Sequence, residues 1–95
     1  MSLYLVTYRV AAEKMSQCLA AAGRAFGACC IGIEPGLFFL VAGKHAQAVE
    51  DDIVAAFGCP IDFLFVTQVP SDHAVRYSAM MGDLQTRLDS VLPPH

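Results

Sequence analysis

Apolar residues alternate with a period of two from Leu3 to Val10. Leu3, Leu5, Thr7 and Arg9 share one face, while Tyr4, Val6, Tyr8 and Val10 share the other. This predicts a first strand that is largely apolar on both faces near its middle. From Ala11 to Phe26 the period changes, and Met15, Cys18, Leu19, Ala22 and Phe26 form the stripe of an amphipathic helix. Glu13 suits the first turn and Gly27 the stop, while Gly23 marks either close packing or an early end. Ala28 to Ile33 predicts a short second strand, and Glu34-Pro35-Gly36 turns the chain into Leu37 to Gly43. That apolar stretch between a Pro-Gly turn and a glycine is the signature of a strand buried on both faces. Lys44 to Phe57 returns to the helical period, with Ala46, Val49, Ile53 and Ala56 or Phe57 inward, and Glu50, Asp51 and Asp52 outward. Gly58 and Pro60 close that helix. Ile61 to Val69 is the last strand, with Ile61, Phe63 and Phe65 against Leu64 and Val66, and Pro70 ends it.

The predicted order is strand, helix, strand, strand, helix, strand. It implies an α+β fold, a ferredoxin-like βαββαβ sandwich with a four-stranded antiparallel sheet over residues 1–70. In that topology the first and third strands lie in the middle, and right-handed crossovers put both helices on one face. The other face is then bare. Residues 71–95 are extra to the pattern and predict an additional carboxy-terminal helix and tail, part of the same domain or of a dimer interface. Ser71 or Asp72 is its N-cap, and Tyr77, Met81, Leu84, Leu88 and Val91 or Leu92 form a narrow heptad-like seam that Pro93-Pro94 ends. The expected interface positions are Tyr4, Tyr8, Phe38, Leu40, Leu64 and Val66 on the strands, with Tyr77, Met81, Leu84 and Leu88 on the last helix.

Composition adds the expectation of a partner. Apolar residues make up 56% of the 95 and the mean hydropathy is +0.50, yet no apolar run approaches the ~20 residues of a spanning helix. The excess apolar surface must go into protein, which predicts a homodimer or another protein partner and no membrane. A net charge of −3 and scattered basic residues argue against a nucleic-acid surface. No basic segment followed by an apolar run and a small-residue cleavage site is visible at the amino terminus, so the cytoplasm is the expected compartment. Four cysteines without CxxC spacing read there as buried free thiols.

The residues carry no catalytic motif. Cys29 and Cys30, being adjacent in a strand, point to opposite faces, and the three histidines are isolated from one another and from the cysteines, so no metal ligand set is assigned. Glu50, Asp51 and Asp52 fan out around a helix, which favours a solvated face over a Mg²⁺ site. Nothing resembles a nucleophile elbow, a dinucleotide fingerprint or a phosphate loop, so no cofactor is assigned.

Leu3-Tyr4-Leu5-Val6-Thr7-Tyr8-Arg9-Val10 followed at once by a helix, then Leu37 to Gly43, then Asp62-Phe63-Leu64-Phe65-Val66, resembles the small ferredoxin-like dimers of the VapD, SinR-like and CRISPR-associated integration-subunit group. The resemblance covers about residues 3 to 69 and is one of pattern more than motif. It implies the fold and dimerisation. In that group a Tyr-Asp pair ends the first strand and the Asp is implicated in metal-dependent nuclease activity; here the pair is Tyr8-Arg9, which puts cleavage in doubt. The expectation is therefore a non-catalytic homodimeric protein-binding or regulatory module, of the kind found as a toxin-antitoxin or phage-defence inhibitor. A metal-dependent nuclease or nucleic-acid-binding protein is the alternative, and a small-ligand sensor the second.

Overall fold

Tyr4, Val6 and Tyr8 are buried on one side of the first strand and Leu3 on the other, so β1 (Ser2–Arg9) is apolar on both faces as its alternation predicts. The computed structural model describes residues 1–70, so the expected carboxy-terminal helix and its positions Tyr77, Met81, Leu84 and Leu88 lie outside the described residues. After β1 a single 3₁₀ turn, Ala12–Lys14, leads into α1 (Met15–Phe26). Gly27 ends α1 at φ 59°, a conformation that disfavours side chains. A second 3₁₀ turn, Gly27–Cys29, precedes β2 (Cys30–Glu34); β3 (Leu37–Ala42) follows, then α2 (Ala46–Phe57) and β4 (Phe63–Val69). Gly23 neither ends α1 nor marks a close approach, because a Cβ there would meet nothing within 4 Å.

The strands form an antiparallel sheet in the order β2-β3-β1-β4, which puts β1 and β3 in the middle. β1 pairs with β3 from Ser2 opposite Ala42 to Thr7 opposite Leu37, and with β4 from Leu3 opposite Val69 to Arg9 opposite Phe63. Both helices cover one face. Tyr4, Val6, Tyr8, Phe38 and Leu40 from the sheet share a single core with Cys18 and Ala22 of α1 and Val49, Ile53 and Phe57 of α2. Met15, Leu19 and Phe26 complete the predicted α1 stripe at the margin of that core. α1 sits close to β2 because Gly32 has no side chain: a Cβ there would lie 3.2 Å from Leu19 Cδ1.

The opposite face carries no described helix and has its own apolar centre. Leu3, Ile31, Phe39 and Val41 form a second, smaller cluster, each 8% exposed or less, with Leu5, Cys29, Ile33 and Val69 packed against it. Among the described residues, the large hydrophobics of this face that stand exposed on its strands are Phe63 and Phe65 at the β4 margin, at 54% and 52%. Among the described residues no helix is long and apolar enough to cross a membrane.

Candidate interaction surface

Of the residues expected at an interface, Tyr4, Tyr8, Phe38 and Leu40 are buried beneath the helices, and Leu64 and Val66 are half-buried at the edge of the same core. They line the helix-covered side of the sheet, not the side turned away from it. The two tyrosines also spend their polar ends internally. Tyr8 Oη donates to the Met15 carbonyl at 2.8 Å, holding the start of α1, and Tyr4 Oη donates to the Lys44 carbonyl just before α2. Buried tyrosines usually find such a partner, since an unpaired hydroxyl would cost the desolvation of that group. Burial raises the Tyr8 phenol above its ordinary value, which keeps it a neutral donor. Its ring meets Phe57 edge-on, with centroids 4.8 Å apart.

What the sequence pattern missed is which phenylalanines stay outside. Phe63 and Phe65 alternate with Leu64 and Val66, so the strand and its two sides were legible. Their exposure follows from two later facts. β4 is an edge strand with no partner on its outer side among the described residues, and its outward-facing phenylalanines sit opposite Arg9 and Thr7, two residues of low apolar content. The polar end of that face, Thr7 and Arg9, was the available signal that this corner is the wetter one.

Behind β4 a cleft of about 400 Å³ runs along α2, bounded by Val54, Ile61 and Phe63 and by the carboxylates of Glu50 and Asp62. Val54 is itself 47% exposed, so this cleft and the Phe63–Phe65 margin are adjoining apolar surfaces flanked by negative charge. The rest of the acidic run is engaged elsewhere: Asp52 pairs with Lys44 Nζ at 2.7 Å, and Asp51 accepts from Gln47 Nε2 at 3.2 Å. Asp62 N–H donates to the Arg9 carbonyl at 2.8 Å, which ties the start of the last strand to the end of the first. Among the described residues no group of three or more His, Cys, Asp or Glu converges as a metal site would require. Arg9, in the place where the resembling group carries its carboxylate, is exposed on the sheet margin.

A further cleft of about 310 Å³ opens beside Phe26, Cys29 and Lys44 at the far end of β3. Small-molecule sites usually occupy about 300–1,000 Å³ and enclose most of the ligand. Both clefts lie at the lower end of that range, whereas the β4 margin offers an extended strand edge. Comparison with known proteins finds no matching family model, no matching curated protein and no matching solved structure, so the geometry carries the functional reading alone.

Proposed function

We propose that this chain is a non-catalytic module that works by association, that its sheet is of the ferredoxin-like class, and that it forms a homodimer through the β4 margin. The strand order β2-β3-β1-β4, with both helices on one side, supports the fold class. The observation that carries the dimer is β4 itself. Its seven residues, Phe-Leu-Phe-Val-Thr-Gln-Val, contain no charge and no proline, keep an unbroken register with β1, and present Phe63 and Phe65 to solvent. Proteins ordinarily protect such an edge with Lys, Pro, a bulge or a covering element. With none of these within Phe63–Val69 and no covering element among the described residues, the edge is a template for another strand, and a second copy of β4 running antiparallel would satisfy the two edges reciprocally.

Full burial of a phenylalanine contributes about 1.5–3 kcal/mol, and these two are already half shielded, so each adds roughly 1 kcal/mol per subunit. Ladder hydrogen bonds add a net ~0.5–1.5 kcal/mol apiece and fix the register. The sum suits a reversible dimer more than an obligate one. Light scattering at micromolar concentration should return about twice the 10.2 kDa chain mass, and Phe65→Asp should return the single-chain mass with an unchanged circular dichroism spectrum. A wild-type protein that stays at the single-chain mass across that range sinks the dimer.

A further inference from the structure

Cys18 and Cys59 are remote in sequence, and the fold brings their sulfurs to 3.5 Å. Cys18 lies on the buried stripe of α1, and Cys59 follows Gly58, whose left-handed backbone (φ 63°) ends α2 and turns the chain back toward α1. The pair lines a cleft of about 210 Å³ together with Lys14 and Arg24 of the α1 side. Neither cation has an ion-pair partner among the described residues. Two thiols within contact distance, in one cleft with two cations that have no ion-pair partner among the described residues, make a cluster that the association surface on β4 does not use.

We propose that Cys18 and Cys59 are a reversible dithiol site whose co-reactant is a small anionic disulfide, steered into the cleft by Lys14 and Arg24. Cys59 is only partly buried, so it is the sulfur an incoming disulfide meets first. Its thiolate attacks one sulfur of the small disulfide, R–S–S–R, forming a protein–S–S–R mixed disulfide and releasing RS⁻, which takes up the proton that Cys59 gave to solvent. Cys18 then loses its proton and attacks the Cys59 sulfur, forming the Cys18–Cys59 bond and releasing the second RS⁻, which is protonated in turn. The protein loses two electrons and two protons, and one disulfide becomes two thiols. Burial, followed by the hydrogen bond with Cys59, pushes the Cys18 thiol up to about 11, which keeps it protonated at neutral pH until Cys59 has reacted. The product would tie α1 to the turn after α2 covalently. A bridged sulfur pair needs about 2.05 Å, a closure that side-chain rotation and small backbone shifts supply from the observed separation.

Oxidised glutathione, whose carboxylates supply the negative charge, is the probe. Incubated with the folded full-length chain, it should produce a protein lighter by two hydrogens, with the linkage mapped by peptide mass to Cys18 and Cys59. Cys18→Ser should instead accumulate a glutathione adduct on Cys59. Charge reversal at Lys14 and Arg24 together should slow the reaction several-fold, while leaving the rate with uncharged hydroxyethyl disulfide unchanged. Linkage or adduct formation centred on Cys29 or Cys30 overturns the site. Equal slowing with both probes overturns the steering by Lys14 and Arg24.

Discussion

β3 and β4 are written in nearly the same residues, Leu37-Phe38-Phe39-Leu40 against Phe63-Leu64-Phe65-Val66, and the molecule treats them in opposite ways. In β3 both phenylalanines are buried, Phe38 entirely, because the strand lies between β2 and β1 with an apolar cluster on each side. In β4 the phenylalanines share one side of an edge strand and remain about half exposed. Strand composition therefore says that a segment extends and packs, while its place in the sheet decides how much of it is left for a partner. The two edges make the same point. β2 is short, carries an irregularity in register between Gly32 and Glu34, and runs into Pro35, all devices that discourage pairing. β4 is also followed by a proline, Pro70, but it is longer, at seven residues against five, and keeps its register with β1 unbroken.

The largest effect that would test the contrast is on stability. Phe38→Ala should cost about 3–5 kcal/mol by denaturant unfolding, the range for truncating a fully buried aromatic. Phe65→Ala, on the edge, should stay within about 0.5 kcal/mol for the single chain. Comparable losses at the two positions would mean that β4 is as enclosed as β3.

A second test uses the pH dependence of stability. Burial pushes the Cys30 thiol, opposite Leu40 of β3, up to about 11 from an ordinary 9.0. A raised thiol favours its protonated form in the folded state, so its contribution is whole below pH 9.0 and is lost as pH climbs from there through about 11. At roughly 1.4 kcal/mol per unit, discounted for the partial exposure of the thiol, the loss is on the order of 1 kcal/mol. Cys30→Ala should flatten the fall of urea midpoint between pH 8.5 and 10.5; an unaltered slope would mean that Cys30 is not the group responsible.

The smallest effect belongs to Tyr8→Phe, which removes the donor to the Met15 carbonyl while keeping the ring against Phe57. It should cost about 1 kcal/mol and loosen the first turn of α1, seen as faster amide exchange there. No change in either would show that the hydroxyl does not hold that turn.

Much of this architecture was legible because the periods are clean. Leu37 to Ala42 has no polar residue, so a central strand follows, and the α1 stripe from Met15 to Phe26 falls where the spacing puts it. Alternation, however, divides a strand into two sides without saying which one the helices cover. The expectation that Tyr4 and Tyr8 lie at an interface took the wrong side, since the helices cover the side of Tyr4, Val6, Tyr8 and Val10, while Leu3 and Leu5 share theirs with Thr7 and Arg9. The Cys18–Cys59 pair had no local signal at all. It arises only when α1 and the end of α2 are packed together, a long-range contact that no short spacing encodes.

The pairing of Leu3 with Val69 has a consequence for the order in which the chain can fold. Among the described elements β1 comes first in the chain, and both of its ladder partners come later, β4 last of all. Its apolar sides must wait, unpaired, until almost all of the described chain has emerged. α1 and the β2–β3 hairpin can form locally in the meantime, but the middle of the sheet closes only through distant contacts, whose loop-closure entropy must be met before they return any stability. Folding should therefore be slower than that of a helical chain of similar size, with the β1–β4 pairing its most distant contact.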